Sequence, residues 1–203
     1  MNPHRRKLLV ASLAGLVAAP ALAQNRGSGI AELNPPQPVE AKDKIEVIEF
    51  FWYGCIHCYN LEPRLDVWLK KLPADVEFRR VPAVFNDRWG HDAAIFYTLD
   101  ALGLLEKLHR PLFDAIHRDR LNTASWPALS AWLERQGVDP KKFEATFKSF
   151  AVQAKAKRAT RLTSDFRIDG TPAIAVHGRY TVSSSNDMLE SVDKLIAVVR
   201  KHK

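Results

Sequence analysis

Strand-forming residues occur near both ends of this chain and are scarce in its middle, and this order limits the folds open to it. Apolar, β-branched and aromatic residues predict buried strands over 44–51 and 75–84, and two short strands within 173–182. A closing helix is predicted from about Asp187. Between 86 and 164 the apolar residues recur at helical spacing. The order predicts an α/β domain interrupted by an all-helical insertion.

The only two cysteines, Cys55 and Cys58, lie where the first buried strand gives way to a helix. Such a pair can be a redox centre, half of a structural zinc site or a small structural disulfide. Zinc would need two further ligands, and no two histidines here have the His-x₃₋₅-His spacing. A disulfide across so short a loop would constrain the unfolded chain little. The residues therefore favour a redox-active pair, and they predict no metal and no cofactor.

The position of the first cysteine suggests how the pair would react. Cys55 opens the helix predicted over 55–72, where unpaired N–H groups and the helix dipole favour a thiolate. His57 could add positive charge or a hydrogen bond, and either would lower the pKa of Cys55. We expect Cys55 to be the exposed nucleophile and Cys58 to be the buried resolving thiol, which releases the mixed disulfide formed at Cys55.

Residues 1–23 have the organisation of a secretory signal peptide. A basic segment at 5–7 precedes an apolar run over 8–19, and small residues allow cleavage after Ala23. The apolar run is shorter than the roughly 20 residues of a membrane span. We expect export by the Sec route, and the two adjacent arginines leave a twin-arginine route open. Export implies an oxidising compartment.

The net charge gives little support for nucleic-acid binding. The signal peptide holds three basic residues and no acidic ones, so its removal lowers the formal net charge from +7 to +4. The most basic run, over 155–161, has no aromatic residue on which a base could stack. We interpret this run as a solvated helix face and expect no nucleic-acid partner.

A longer pattern surrounds the cysteines, namely Glu49-Phe50-Phe51-x-x-Gly54-Cys55-x-His57-Cys58-Tyr59, and Gly170-Thr171-Pro172 precedes a later strand. Together these motifs resemble the DsbA family of periplasmic thiol:disulfide oxidoreductases, over essentially the whole mature chain. Two residues depart from the family's more familiar pattern. Ile56 replaces proline between the cysteines, and Thr171 replaces valine before the later proline. Both positions tune redox potential and substrate handling in that family.

The resemblance implies a thioredoxin fold interrupted by an all-helical insertion domain. An extended lead-in would occupy 24–43. The thioredoxin-like domain would consist of 44–87 and 163–203, and the helical insertion would occupy 88–162.

Several site roles also follow from the resemblance. Pro172 would be a cis-proline facing the cysteines, and it would dock a substrate strand together with Thr171. Glu49 would be a buried acid that relays a proton to or from Cys58. The residues themselves also allow a trans proline and an exposed carboxylate on an edge strand.

The aromatic residues near the cysteines allow two interpretations. Trp52, Tyr53 and Phe85 could line an apolar peptide-binding surface, or they could belong to the core.

The resemblance implies a monomeric periplasmic dithiol oxidase. It would donate the Cys55–Cys58 disulfide to unfolded exported proteins with free cysteines, and a quinone-linked membrane protein of the DsbB type would reoxidise it. One alternative is a reductase or isomerase on the same fold. Isomerases of this superfamily resemble dimers with a separate N-terminal domain, for which the segment before Cys55 is too short. The other alternative is a peptide-binding holdase that is not an enzyme.

Overall fold

The structure is a computed structural model that describes residues 29–41 and 43–202. The predicted signal peptide and its cleavage site lie outside the described residues. No helix within the described ranges is long and apolar enough to cross a membrane. Along this part of the chain the elements are β1 (Ile30–Glu32), β2 (Ile45–Phe51), α1 (Ile56–Leu69), β3 (Val76–Pro82), α2 (Asp87–Ala101), α3 (Leu105–His117), α4 (Trp126–Arg135), α5 (Pro140–Phe147), α6 (Phe150–Asp165), β4 (Ala173–Val176), β5 (Tyr180–Ser183) and α7 (Met188–His202).

The strands form one mixed sheet in the order β1-β5-β4-β2-β3. Strand β2 is parallel to β3 and antiparallel to β4, and β5 is antiparallel to both β4 and β1. All seven residues of β2 are buried because it lies between two strands with apolar clusters on both faces. Ile48 and Phe50 enter one cluster, and Ile45 and Val47 enter the other. A strand buried on both faces produces the continuous apolar run seen in the sequence.

The predicted lead-in contains an edge strand that the sequence analysis missed. Ile30 to Glu32 pair antiparallel with β5. Three residues with one large apolar side chain are too few to show an alternation. The lead-in continues along the sheet, where the N–H of Gln37 donates to the carbonyl of Gly178 at 2.7 Å. Gly178 has a φ of +65°, and any Cβ there would overlap the Gln37 backbone, so a glycine is required.

Helix α1 carries the cysteine motif and confirms the predicted apolar face. It begins at Ile56, with Cys55 as the N-cap residue, and ends at Leu69. Its apolar face packs on the cluster that contains Ile45 and Val47, through the buried or partly buried side chains of Leu61, Leu65, Trp68 and Leu69. The predicted helix extended to Leu72, which lies beyond the observed end of α1 but packs against the same cluster. This packing fixes the direction in which the start of α1 meets the end of β2.

The helices α2 to α6 confirm an all-helical block between β3 and β4. Its core is continuous with the end of β2, because Phe51, Tyr53 and Cys58 pack in the same cluster as Leu108 and Phe113 of α3. The insertion therefore contacts the cysteine segment directly. The domain boundaries at 87/88 and 162/163 stay a prediction, since the sheet and the helices share this core.

Candidate active site

The two thiols sit at the start of α1 with different exposure. Cys55 is partly exposed and Cys58 is buried, and both are free thiols in this structure. The N–H of Cys55 donates to the carbonyl of Trp52 at 3.0 Å and closes the turn between β2 and α1. The Cys55 Sγ lies 3.3 Å from the backbone carbonyl of Thr171, to which it donates a hydrogen bond in the protonated thiol form. The exposed sulfur therefore lies against the Thr171 loop. The roles of Cys55 as nucleophile and Cys58 as resolving thiol stay a prediction, with which their different exposure agrees.

The surroundings push the two thiols toward opposite protonation states. The pKa of Cys55 is lowered to about 5, most strongly by a hydrogen bond with the Cys58 side chain and against the opposing effect of burial. The Thr171 side chain and the N–H groups of Cys58 and His57 contribute to the same lowering. Burial raises the pKa of Cys58 well above its ordinary value, and the Cys55 sulfur adds to that effect. Near neutral pH the reduced pair is therefore a Cys55 thiolate beside a Cys58 thiol.

His57 contributes through its backbone. Its N–H helps to lower the pKa of Cys55. The side chain is exposed and lines a groove of about 460 Å³ together with Asn60, Arg64 and Pro172. The expected stabilisation of Cys55 by the imidazole stays a prediction. Among residues 29–41 and 43–202, no group of three or more His, Cys, Asp or Glu is placed to hold a metal ion.

The loop that faces the cysteines has the predicted proline geometry. The Thr171–Pro172 peptide bond is cis, so the prediction is confirmed and the trans alternative is wrong. Pro172 is buried and leads directly into β4 at Ala173, while Thr171 is partly exposed beside Cys55. The backbone of Thr171 is therefore next to the reactive sulfur.

Glu49 lies on β2, an interior strand of the sheet, and the alternative of an exposed edge carboxylate is wrong. The side chain is 0% exposed, and its register partners are Arg80 in β3 and Ile174 in β4. Arg80 Nε lies 3.0 Å from Glu49 Oε2, but the two groups are not aligned for a hydrogen bond. Burial raises the pKa of Glu49 to about 8, and the attraction of Arg80 offsets only part of that effect. Glu49 is therefore an acid that holds its proton near neutral pH.

A second buried acid, Glu62, was missed by the sequence analysis. It lies 3.4 Å from Arg80 Nη2 and 3.7 Å from His109 Nε2. Burial opposes its ionisation, but His109, Arg80 and Arg110 outweigh burial and hold the pKa of Glu62 below its usual range. The available signal was its position four residues after Cys58, which places both side chains on one helix face. A cavity of about 340 Å³ adjoins Glu62, Arg80 and His109.

The aromatic residues near the cysteines divide between core and surface. Tyr53 is buried in the core, so the core interpretation is confirmed for this residue and the surface interpretation is excluded. The Trp52 ring stacks on Trp89 at 4.1 Å, and its indole N–H donates to Asp92 at 2.8 Å. Phe85 is 44% exposed and packs edge-on against Trp89. A surface role stays a prediction for Trp52 and Phe85.

The fixed Trp52 ring leads to a prediction for Gly54. A Cβ at Gly54 would overlap the Trp52 ring, and that ring cannot move freely because Trp89 and Asp92 hold it. We expect Gly54→Ala to destabilise the protein by roughly 1–3 kcal/mol, as overpacking does in cores. Urea unfolding followed by tryptophan fluorescence measures the loss.

Gly90→Ala is the matched control. A Cβ at Gly90 lies in the interior of α2, and its nearest neighbour would be a Val84 methyl at an ordinary 3.7 Å. Alanine should be neutral or slightly stabilising there, because it is the better helix former. Equal stability of the two variants would show that the Trp52 ring does not restrict Gly54.

The comparisons with known proteins agree with this geometry. The family model described as "DSBA-like thioredoxin domain" matches residues 46–197. A relative from Burkholderia cepacia, named thiol:disulfide interchange protein DsbA, is 41% identical over 82% of this chain and 79% of its own length. A relative of the same name from Bordetella parapertussis is 41% identical over 97% of each chain.

Solved structures resemble the whole architecture. A crystal structure of Pseudomonas aeruginosa DsbA matches with a TM-score of 0.81 and 36% identity, over 87% of this chain and 94% of that one. The oxidoreductase NmDsbA1 from Neisseria meningitidis matches with a TM-score of 0.76 and 31% identity, over 87% and 94%. By these matches in sequence and fold, the chain belongs to the DsbA family and is a protein thiol:disulfide oxidoreductase.

Proposed function

We propose that this oxidoreductase works as an oxidase and donates its Cys55–Cys58 disulfide to reduced exported proteins in the periplasm. A substrate thiolate attacks the Cys55 sulfur, a mixed disulfide forms there, and Cys58 leaves. A second substrate thiolate then attacks the substrate sulfur of the mixed disulfide, and Cys55 leaves as a thiolate. The substrate loses two electrons and gains a disulfide, while the enzyme becomes the reduced dithiol.

The pKa of Cys55, lowered to about 5, is the observation that supports this direction. A thiol of low pKa is a good leaving group, so the second attack releases the oxidised substrate quickly. The same effect stabilises the reduced enzyme at neutral pH, which makes its disulfide more oxidising. The Cys55 thiolate thus favours donation of the disulfide over reduction of a client.

Glu49 is the proposed proton donor for Cys58. When Cys58 leaves in the first step it is buried, and its raised pKa makes the anion costly there. Glu49 is protonated near neutral pH and interacts electrostatically with Cys58. It can therefore supply the proton that Cys58 needs and regain it when the disulfide is restored. The cavity of about 340 Å³ is lined by Arg80 and Glu62, which both interact electrostatically with Glu49.

Thr171 and Pro172 are the proposed substrate-docking residues. The Thr171 backbone lies beside the Cys55 sulfur, so an extended substrate segment placed there would bring its cysteine to Cys55. His57 and Pro172 also share the wall of the polar groove, which offers a path for the rest of that segment.

The cellular setting belongs to the same proposal. Residues 1–23 would direct export, and the oxidase would act as a monomer in the periplasm. A quinone-linked membrane protein of the DsbB type would reoxidise Cys55 and Cys58 after each turnover. The sequence motifs and the family membership support these assignments.

The deciding experiment is the reduction potential of the Cys55–Cys58 pair, measured in glutathione buffers by tryptophan fluorescence. Relative to thioredoxin, with a thiol pKa of about 7 and a potential of about −270 mV, a pKa near 5 accounts for about 50 mV at pH 7. We therefore expect a value between about −220 mV and the family reference value for DsbA of about −120 mV. A value near −270 mV would instead support a reductase.

A further inference from the structure

Two histidines of α3 hold the same residue of the active-site segment. His117 Nε2 lies 2.8 Å from the backbone carbonyl of Tyr53, and His109 Nδ1 lies 2.8 Å from the Tyr53 hydroxyl. A carbonyl can only accept, so His117 must donate its Nε2–H. Tyr53 is therefore fixed at its backbone and at the far end of its side chain, both times by the helical insertion.

We propose that His109 and His117 are positioning residues for the turn that carries Cys55, and that they act through Tyr53. We call these three residues the histidine clamp. The inference rests on the proposed oxidase function and extends it, because it assigns part of the reactivity of Cys55 to the helical insertion.

The clamp acts on the turn through one peptide plane. Tyr53 stands two residues before Cys55, and the turn closes where the Cys55 N–H meets the Trp52 carbonyl. Since the peptide unit is planar, aiming the Tyr53 carbonyl at His117 also fixes the direction of the Gly54 N–H. The sulfur of Cys55 is stabilised by N–H groups at the start of α1. A turn held in one orientation keeps the sulfur and those donors aligned without reorganisation.

The hydrogen bond between the Tyr53 hydroxyl and His109 is buried, and its donor and acceptor can be assigned. His109 lies between Tyr53 and Glu62, and the Tyr53 ring packs against Phe51 at 5.2 Å and Phe113 at 4.9 Å. Burial lowers the pKa of His109 against the opposing effect of Glu62, and this favours the neutral imidazole. Its Nε2 faces the Glu62 carboxylate, so the Nε2–H tautomer is favoured and Nδ1 accepts from the Tyr53 hydroxyl.

The same helix also holds the other side of the cysteine motif. Tyr59, the residue after Cys58, stacks on His117 at 4.8 Å with an interplanar angle of 17°. Its hydroxyl donates to Asp114 at 2.8 Å, and the Arg110 guanidinium lies 4.7 Å from its ring centre. Helix α3 therefore contacts the residues on both flanks of the motif, and His117 takes part in both contacts.

The first test variant removes the hydrogen bond from His117 to the Tyr53 carbonyl and keeps an aromatic ring at position 117. His117→Phe retains an aromatic ring against Tyr59 but has no N–H for the Tyr53 carbonyl. We expect the pKa of Cys55 to rise by about one unit. At any fixed pH below both pKa values, this rise lowers the fraction of Cys55 thiolate about tenfold. The thiolate absorbance of the reduced protein is titrated in the ultraviolet. His117→Gln restores an N–H donor and should return the Cys55 pKa most of the way to the wild-type value.

His91→Phe is the matched control. His91 Nε2 makes the same kind of bond, 2.8 Å from the Thr123 carbonyl, and its ring packs on Phe147 within the insertion. Both variants lose one imidazole-to-carbonyl bond, so both should lose similar stability. Only His117→Phe should shift the pKa of Cys55. Equal shifts in the two variants would overturn the clamp.

Tyr53→Phe tests the hydrogen bond between Tyr53 and His109, and it is the alternative variant if His117→Phe does not fold. It removes one hydroxyl and adds no volume, and we expect roughly a threefold loss of thiolate, about half a pKa unit. An unchanged Cys55 pKa in the folded clamp variants overturns the proposal while leaving the oxidase function intact. An ordinary thiol pKa in the wild type would overturn both the clamp and the oxidase proposal.

Discussion

The Cys55→Ser variant will introduce no disulfides into a reduced, unfolded client protein. Cys58 would be the only remaining cysteine, and it is 0% exposed with a pKa raised by burial. It can neither form the catalytic disulfide alone nor react as a thiolate near neutral pH. Oxidase activity should fall to the background rate of air oxidation. Alkylation of client thiols at timed intervals, followed by mass measurement, counts the disulfides formed.

Cys58→Ser is the informative control for this loss. It also lacks the catalytic disulfide, but it retains the partly exposed Cys55, and the serine hydroxyl can replace the Cys58 hydrogen bond that lowers the pKa of Cys55. Incubated with a disulfide-bonded peptide, it should accumulate a mixed disulfide at Cys55 that no second thiol resolves. Cys55→Ser should form no such adduct. An adduct on Cys58 instead would reverse the assigned roles of the two sulfurs.

Glu49→Gln will make the oxidised protein more stable at alkaline pH by roughly 3–5 kcal/mol and leave its stability near pH 4 almost unchanged. The folded pKa of Glu49, about 8, lies above the value of 4.5 for an unperturbed glutamate. For a group raised in this direction, the stability present below pH 4.5 is lost progressively as the pH rises through 8. Glutamine has no proton to lose, so its profile lacks this decline.

Urea unfolding at several pH values measures the two profiles, with both proteins oxidised so that the cysteines do not titrate. Glu77→Gln on the neighbouring strand is the control, since Glu77 is exposed and should show no gain at high pH. Parallel profiles for Glu49→Gln and the wild type would mean that Arg80 keeps Glu49 ionised at neutral pH. The proton relay to Cys58 would then lose its donor.

Features that depend on neighbours in the sequence were predictable. The buried strand β2 appears as an apolar run because it is covered on both faces. The apolar spacing of α1 gives its buried face, and the cysteines stand at its start. The cis geometry of Pro172 and the burial of Glu49 came from the family resemblance, since a lone proline and a lone acid carry no such signal.

Features that depend on distant partners were missed. Glu62 resembles any acid on a helix until Arg80 and His109 are brought beside it by the sheet and the insertion. Tyr53 stands next to the cysteines, and its position in the sequence allowed both a surface and a core interpretation. Helix α3 decides between them, because it covers Tyr53 with residues more than fifty positions away. Strand β1 gains its structure from β5 at the far end of the chain. Short sequence patterns cannot predict these contacts, because each one joins residues that are far apart in the chain.

The contact between Cys55 and Thr171 spans 116 residues of sequence, and this separation has a consequence for biosynthesis. A chain that emerges N-terminus first presents both cysteines long before α3 and the Thr171 loop exist to surround them. Until then we expect Cys55 to behave as an ordinary cysteine, with a pKa of about 8.5. We therefore expect the nascent chain to react like any other unfolded protein with free cysteines. Cys55 gains its low pKa only after the Thr171 loop and the strands that follow it have folded against the start of α1.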